Sequence, residues 1–281
     1  MADTTRATQH SNRNEWVDVM THPMVKGSIL GAGVMFWVTP GINTVTYHSA
    51  NMRMPWSQAF MGWQPLVISG VVGCATSFAV KGIFHDLNKE NSSLNAFATS
   101  AAAGAISGVT LCPFESVNVN HQGRSGSVIG TARSMLKHHG YTGFFRGTSG
   151  MMVRESAWTM MYMTAVPTIS QNLQKSGYNR ATADAFALMV SACLFGFASA
   201  PINRLRIMKQ QELTQPGKAP TYLKLVSTMF NECKYSATHV KVASCFKGAG
   251  VRSITSACAG GLFYYGSEGY DHVMSSFQCN Y

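Results

Sequence analysis

Long stretches without any Asp, Glu, Lys or Arg constrain this chain more than any other feature of its sequence. They cover residues 27–52, 63–80, 91–114, 156–174, 185–203 and, more briefly, 253–267. A helix that crosses a bilayer needs roughly 20 mainly apolar residues, so the six stretches predict six membrane-spanning helices. The alternative is a soluble helical bundle with buried helices, because Gly, Ser and Thr make each stretch less apolar than a single-span anchor.

The distribution of charge agrees with a membrane protein. Only 12% of the residues are charged and 46% are apolar, which is a low charge content for a soluble domain. Most Lys and Arg residues lie in the loops after the first, third and fifth stretches, and positive-inside topology then places both termini on the opposite side. We therefore interpret the net charge of +10 as topology and contact with anionic lipids, and expect no nucleic acid partner.

Several classes of protein are excluded by what the sequence lacks. Residues 1–23 are polar and carry both acids and bases, so they predict neither a signal peptide nor a cleaved transit peptide. The seven cysteines form no Cys-x-x-Cys pair, and we expect no disulfide, no metal and no cofactor. No phosphate-binding loop, Gly-x-Ser-x-Gly or HExxH motif is present, so the sequence does not indicate an enzyme.

An internal repeat is the most specific signal in the chain. A proline is followed two residues later by an acid or amide and nine residues later by glutamine, and an aromatic-basic-glycine triplet comes later. The second copy reads Pro113-Phe114-Glu115, Gln122 and Phe145-Arg146-Gly147. The third copy reads Pro201-Ile202-Asn203, Arg206, Gln210 and Phe246-Lys247-Gly248. The first copy keeps only Pro40, Phe60 and Gly62.

These residues resemble the mitochondrial carrier family, whose repeats read Pro-x-(Asp/Glu)-x-x-(Lys/Arg) and later aromatic-(Lys/Arg)-Gly. The resemblance covers nearly the whole chain after residue 23. It implies an all-α membrane protein with six transmembrane helices in three pseudo-symmetric helix-pair repeats. The protein would lie in the mitochondrial inner membrane with both termini toward the intermembrane space. The predicted units are a polar segment at 1–23 and repeats at 24–90, 91–178 and 179–281.

Each repeated residue has a physical reason to be where it is. Proline bends a helix, so kinks at Pro40, Pro113 and Pro201 would let three helices converge at one end. Glycines four residues apart, such as Gly104 and Gly108, permit close helix packing. The triplets place helix N-termini at the interface, where anions are favoured. By resemblance that anion is the phosphate of cardiolipin, a bound lipid, at the residues Arg146, Gly147, Lys247 and Gly248.

The resemblance also implies a gate on the matrix side, closed by three ion pairs that link the acid of one repeat to the base of the next. The acid positions are Ile42, Glu115 and Asn203, and the base positions are Val45, Asn118 and Arg206. Only Glu115 with Arg206 can form such a pair. On the opposite side Glu268 is a remnant of the cytoplasmic gate, and Asp271 stands where a base is expected.

Substrate contacts in the family fall seven and eight residues after the glycine of each triplet. The candidates here are Ser69, Gly70, Arg154, Glu155, Thr255 and Ser256. Only Arg154 and Glu155 are charged, and such a pair resembles carriers of amino acids or similar zwitterions. A phosphate or dicarboxylate would need several cations, and these positions hold one. The alternative is that Arg154 and Glu155 serve only helix packing.

Two functional hypotheses follow. The distance from proline to glycine is 22, 34 and 47 residues in the three copies, so the first copy has no room for a matrix helix. That loss and the eroded gates favour an accessory subunit of an inner-membrane assembly such as a respiratory complex, with protein subunits as partners. The alternative is a transporter of a small amino acid or similar metabolite, favoured by Arg154, Glu155 and the link between Glu115 and Arg206.

Overall fold

The computed structural model describes residues 19–49, 53–87, 93–122, 126–211, 213, 220–235 and 245–279, and this part of the chain is all helical apart from its connections. Residues 1–18 of the predicted polar segment and the boundary between the first two predicted repeats lie outside the described residues. The helices are α1 Pro23–Ser49, α2 Trp63–Leu87, α3 Ser93–His121, α4 Val128–Phe144, α5 Thr148–Met160, α6 Val166–Lys175, α7 Arg180–Ala198, α8 Ala200–Gln210, α9 Tyr222–Tyr235 and α10 Ala249–Cys279.

Six long helical units form a closed ring. A π-helical turn, Met161–Ala165, joins α5 to α6 as one unit, and α8 continues α7 after a break at Ser199. Around the ring α1 packs on α2, α2 on α3, α3 on α5, α6 on α7, α7 on α10, and α10 returns to α1. The predicted all-α fold of six helices in three pairs is confirmed.

Three of these helices are long and apolar enough to cross a membrane by composition alone. They are Met24–Ser49, Ala96–His121 and Arg180–Ala198, in a search of the described residues. Each of them is the first helix of its pair. We call these first helices, including α8 as the continuation of α7, the odd helices, and the second helices of the pairs the even helices. The second helices of the second and third pairs carry charged residues within their length, among them Arg154 and Arg252.

The repeat is visible in the backbone even where the sequence has lost it. Gly62, Gly147 and Gly248 have φ angles of 72°, 85° and 79°, and each directly precedes the even helix of its pair. Residues with a Cβ are strained in this left-handed region, so glycine is needed at all three points. The first copy therefore keeps the glycine turn although its triplet has lost the basic residue.

The odd helices converge at the end that follows the three prolines. Gln122 of the α3 end donates to Asn43 of α1 at 2.5 Å, and Asn120 of α3 donates to the Gln210 carbonyl of α8 at 2.6 Å. Arg204 of α8 reaches the Ser49 carbonyl of α1 at 3.5 Å. Each pair of odd helices is thus joined at this end. Helices α1 and α3 run without interruption through Pro40 and Pro113, where kinks stay a prediction.

The connections on this side differ between repeats. Helix α4 fills the connection of the second repeat and α9 that of the third. In the first repeat the described part of the connection, residues 53–62, holds one 3-10 turn, Trp56–Gln58. The short spacing between Pro40 and Gly62 therefore has a direct structural counterpart.

Candidate functional site

Glu115 lies at the centre of a buried set of charges. It sits on α3, two residues after Pro113, with 3% of its surface exposed. Arg154 of α5 grips both of its oxygens, with Nη1 2.8 Å from Oε2 and Nη2 on Oε1. Arg206 of α8 donates from Nη1 to the same Oε2 at 2.7 Å. One carboxylate therefore joins two arginines from two other helices.

Glu155 adds a second acid to this set. Arg154 Nε donates to Glu155 Oε1 at 2.6 Å, so the order along the contacts is Glu155, Arg154, Glu115, Arg206. We call these four residues the charged cluster. Two acids and two bases alternate in it, and each buried charge has an opposite charge in contact, which offsets part of the cost of removing it from water.

Close helix packing sets the position of the cluster. A Cβ on Gly104 of α3 would lie 2.3 Å from the Glu155 carbonyl oxygen of α5, and one on Gly108 would lie 2.8 Å from Met152. Since only glycine permits this approach, the predicted small-residue pair brings α3 and α5 together at the level of Arg154. The long arginine can then span from α5 to Glu115.

Polar side chains extend the cluster toward the converging ends of the odd helices. Arg206 Nη1 also donates to Gln210 Oε1 at 3.1 Å, one turn further along α8. Gln210 Nε2 in turn donates to Ser116 of α3 at 2.9 Å. The predicted contact between Glu115 and Arg206 is thus present. Arg154 also holds Glu115, and Gln210 also holds Arg206. The role of this contact as a matrix gate stays a prediction.

The junction between α1 and α3 is closed by neutral groups. Asn43 donates to the Ala59 and Met61 carbonyls at 2.8 and 2.9 Å and accepts from Gln122 at 2.5 Å. The family's pairing positions beside it, Ile42 and Asn118, cannot form an ion pair, and the buried Asn118 Oδ1 has no partner among the described residues. Amide hydrogen bonds replace charge at this junction.

The remaining positions predicted as substrate contacts mostly serve helix packing. A Cβ on Gly31 would lie 2.3 Å from the Gly70 carbonyl oxygen, and one on Gly41 would lie 2.2 Å from the Thr255 hydroxyl. Ser256 accepts at its carbonyl from Tyr162 Oη at 2.5 Å. Ser69 is buried, and its hydroxyl has no partner among the described residues.

One cation near the cluster was missed by counting from the triplets. Arg252 stands four residues after Gly248, on the first turns of α10, and its Nε donates to the Ser199 hydroxyl at 3.1 Å. It interacts electrostatically with the charges of Arg154, Arg206, Glu155 and Glu115. Counting from the triplets gave one cation at the predicted substrate positions, and the structure adds Arg252 to the charges around it. The sequence signal was available, because the last charge-free stretch starts directly after Arg252.

At the opposite end of the ring, exposed ion pairs join α10 to its neighbours. Glu268 Oε1 accepts from Arg180 Nη2 of α7 at 2.6 Å, and Asp271 Oδ2 lies 2.6 Å from Lys26 Nζ of α1. The first pair lies within one repeat and does not link two even helices. A role of Glu268 in a cytoplasmic gate stays a prediction.

The residues predicted to bind cardiolipin lie before α5 and α10. Arg146 Nη2 is 3.0 Å from His139 Nδ1, and partial burial lowers the pKa of Arg146 from its ordinary value. Lys247 Nζ lies 4.0 Å from Glu232 Oε2. A separate groove of about 930 Å³ opens between the start of α2 and the start of α4, next to Gly62, and no Lys or Arg is among its described lining residues.

Three helix pairs in a ring with a buried charged cluster are the arrangement that the resemblance to the carrier family implies. The family model described as mitochondrial carrier protein matches residues 89–177. The mitochondrial phosphate carrier protein 3 of Arabidopsis thaliana is 29% identical over 128 residues, which are 41% of this chain and 34% of that protein. The mitochondrial glycine transporter of Yarrowia lipolytica is 24% identical over 174 residues, or 55% of this chain and 54% of that protein.

These matches support the predicted membership of the mitochondrial carrier family, with the family model covering about a third of the chain. The aligned parts cover about a third and about half of the two relatives. Membership implies a multi-pass protein of the mitochondrial inner membrane.

Proposed function

We propose that this protein transports a small amino acid or a similar zwitterionic metabolite across the mitochondrial inner membrane. The observation that carries the proposal is the double contact of Glu115 with Arg154 and Arg206. Buried charges inside a membrane protein are costly, and they mark function more often than packing. Here they lie where the second and third repeats meet, near the end where the odd helices converge.

The cluster supports a gate that can open at moderate cost. Glu115 and Arg154 belong to the same repeat, whereas Arg206 belongs to the next. When the third repeat moves away, Arg206 leaves but Arg154 stays on Glu115, so the carboxylate is never left without a positive partner. Breaking a buried ion pair by removing one partner costs about 3–5 kcal/mol, and the second arginine reduces that cost. Alternating access requires two states of similar free energy.

The comparisons favour transport over the accessory-subunit hypothesis. One relative is named as a phosphate carrier and the other as a glycine transporter. Glycine matches a site with both an acid and a base, since Glu155 can face an ammonium group. Inorganic phosphate carries no positively charged group for Glu155 to pair with.

The topology and lipid contacts belong to the same proposal. The basic loops place the converging ends of the odd helices in the matrix and both termini toward the intermembrane space. Arg146 and Lys247, each followed by a left-handed glycine and a helix N-terminus, would bind the phosphates of cardiolipin.

Uptake into liposomes tests this function. Purified protein would be reconstituted, and uptake of labelled glycine and labelled phosphate would be measured separately. We expect saturable glycine uptake that is impaired in Glu155→Gln, because the ammonium group loses its acidic partner. Lys224→Gln, which removes an exposed charge on α9, is the matched control and should transport normally.

Three other results would each contradict the proposal. Phosphate uptake without glycine uptake would replace the substrate class. Glycine uptake unchanged in Glu155→Gln would remove the role given to this acid. No uptake of either, together with migration of the protein in a large complex on a native gel, would support the accessory subunit instead.

A further inference from the structure

Arg252 differs from the other arginines in the spanning helices that the structure describes. Arg154 and Arg206 contact Glu115, and Arg204 contacts Glu232 at 2.5 Å. No described carboxylate lies within ion-pair distance of Arg252, whose side chain donates only to the Ser199 hydroxyl. Within the described part of the protein, no ion pair therefore compensates its positive charge.

The terminal nitrogens of Arg252 are open to a ligand. They donate to no described protein acceptor, and they are not among the buried atoms that lack a partner, so they reach accessible space. The side chain is half-buried. Its Nε is held by Ser199 at the break between α7 and α8, which fixes the guanidinium while leaving its outer edge free for a planar, bidentate anion.

Arg154 is in the opposite situation. All three of its side-chain nitrogens contact carboxylates of the protein, Nε with Glu155 and the two terminal nitrogens with Glu115. A substrate carboxylate could bind Arg154 only by displacing one of these acids. The charged cluster contains two acids and two bases and is neutral as a whole, so the surplus positive charge at this level belongs to Arg252.

We propose that Arg252, and not Arg154, binds the carboxylate of the substrate, and that the site takes substrates with a single negative group. This rests on the proposed transport function and deepens it. Arg154 is a positioning residue, which holds Glu115 and Glu155 in place. A monocarboxylate with an ammonium group satisfies the site, with its carboxylate on Arg252 and its ammonium group near Glu155.

Thermal unfolding of the purified protein in detergent tests the assignment without requiring transport. The variants are Arg252→Gln and Arg154→Gln, and Arg133→Gln on the exposed face of α4 is the control for loss of one positive charge. Arg252→Gln should unfold at the wild-type temperature or slightly above, because no protein ion pair is lost. Arg154→Gln should unfold at a clearly lower temperature, because Glu115 and Glu155 lose their shared partner.

Addition of glycine should raise the unfolding temperature of wild type and Arg133→Gln but not of Arg252→Gln. Methylamine, which has no carboxylate, should raise none of them. Inorganic phosphate should raise the unfolding temperature of wild type less than glycine does, and an equal rise that also depends on Arg252 would contradict a site for a monocarboxylate with an ammonium group. A glycine-induced rise that persists in Arg252→Gln would overturn the proposal, and so would the absence of any rise in wild type.

Uptake by liposomes separates failure of this assignment from failure of the transport function. We expect Arg252→Gln to raise the KM for glycine about tenfold or more, the effect of losing one charge-assisted hydrogen-bonded contact. The KM of Arg252→Lys should lie between those of wild type and Arg252→Gln, since lysine keeps the positive charge but not the two-pronged geometry of the guanidinium. Uptake with an unchanged KM in Arg252→Gln would refute the assignment and leave transport standing. Glycine binding that depends on Arg252 without any uptake would leave the assignment standing and refute transport.

Discussion

Two junctions between odd helices close the same end of the ring with different chemistry. Between α3 and α8, Glu115 contacts Arg206 at 2.7 Å and is also gripped by Arg154. Between α1 and α3, Asn43 and Gln122 meet through a single amide hydrogen bond of 2.5 Å. The first junction uses charge, and the second is neutral.

The two junctions therefore differ in the free energy that is lost when one of their contacts is removed. Leaving a buried neutral group without its hydrogen-bond partner costs about 1–3 kcal/mol, whereas removing one partner of a buried ion pair costs about 3–5 kcal/mol. The junction of the second and third repeats should therefore dominate closure. The first repeat, which also has the shortest connection, is the weakest part of this end.

The largest effect is expected for Glu115→Gln. The change leaves Arg154 with Glu155 alone and removes the carboxylate from Arg206, so the protein should lose about 3–5 kcal/mol of stability. Thermal or denaturant unfolding in detergent measures it. Asp271→Asn, which breaks the exposed pair with Lys26, is the matched control and should cost less than about 1 kcal/mol. Equal losses of stability in the two variants would show that the buried contacts of Glu115 stabilise the protein no more than the exposed pair of Asp271 and Lys26.

An exchange of charges at this junction should not restore stability. With Glu115→Arg and Arg206→Glu combined, the new arginine at position 115 would lie against Arg154. The two positive charges would repel each other, whereas the original Glu115 attracts Arg154. Full rescue by the exchange would mean that Arg154 does not contact Glu115.

An intermediate effect is expected for Gly104→Ala. The new methyl group would lie 2.3 Å from the Glu155 carbonyl oxygen, so α5 must shift and carry Arg154 with it. Overpacking of this kind costs about 1–3 kcal/mol. Gly33→Ala on α1 is the matched control, because nothing lies within 4 Å of a Cβ there. The unfolding temperatures of both variants check this, and a loss as large in Gly33→Ala would contradict the packing argument.

The smallest effect is expected at the neutral junction, for Gln122→Leu. One amide donor to Asn43 is lost, and the other two hydrogen bonds of Asn43, to Ala59 and Met61, are kept. The stability should fall by about 1 kcal/mol. A loss comparable to that of Glu115→Gln would abolish the distinction between the charged and the neutral junction.

The sequence was sufficient to predict the fold and the partner of Glu115. Charge-free stretches of the right length and a repeated proline-to-glycine pattern require six helices in three pairs, and this information is local in the chain. The pairing of Glu115 with Arg206 could be inferred because only those two of the six pairing positions carry charge.

Contacts that depend on side-chain reach could not be predicted from spacing. The bidentate contact of Arg154 with Glu115 requires the close approach of α3 and α5 at Gly104, a tertiary property. Arg252 lies outside the positions counted from the triplets and becomes relevant only because α10 leans toward α7 and α8 at Ser199. Asn43 and Gln122 stand one residue and four residues beyond the pairing positions, so the register of the neutral junction was not visible either.

The most direct test asks whether the converging end must open for transport. Cysteines would be placed at positions 43 and 122 in a chain whose native cysteines are replaced, and a short bis-methanethiosulfonate reagent, which forms a reducible disulfide with each thiol and releases methanesulfinate, would join them in liposomes. We predict that glycine uptake stops when the two helices are joined and returns after reduction, with single-cysteine variants unaffected. Uptake that continues at full rate in the joined protein would contradict the account.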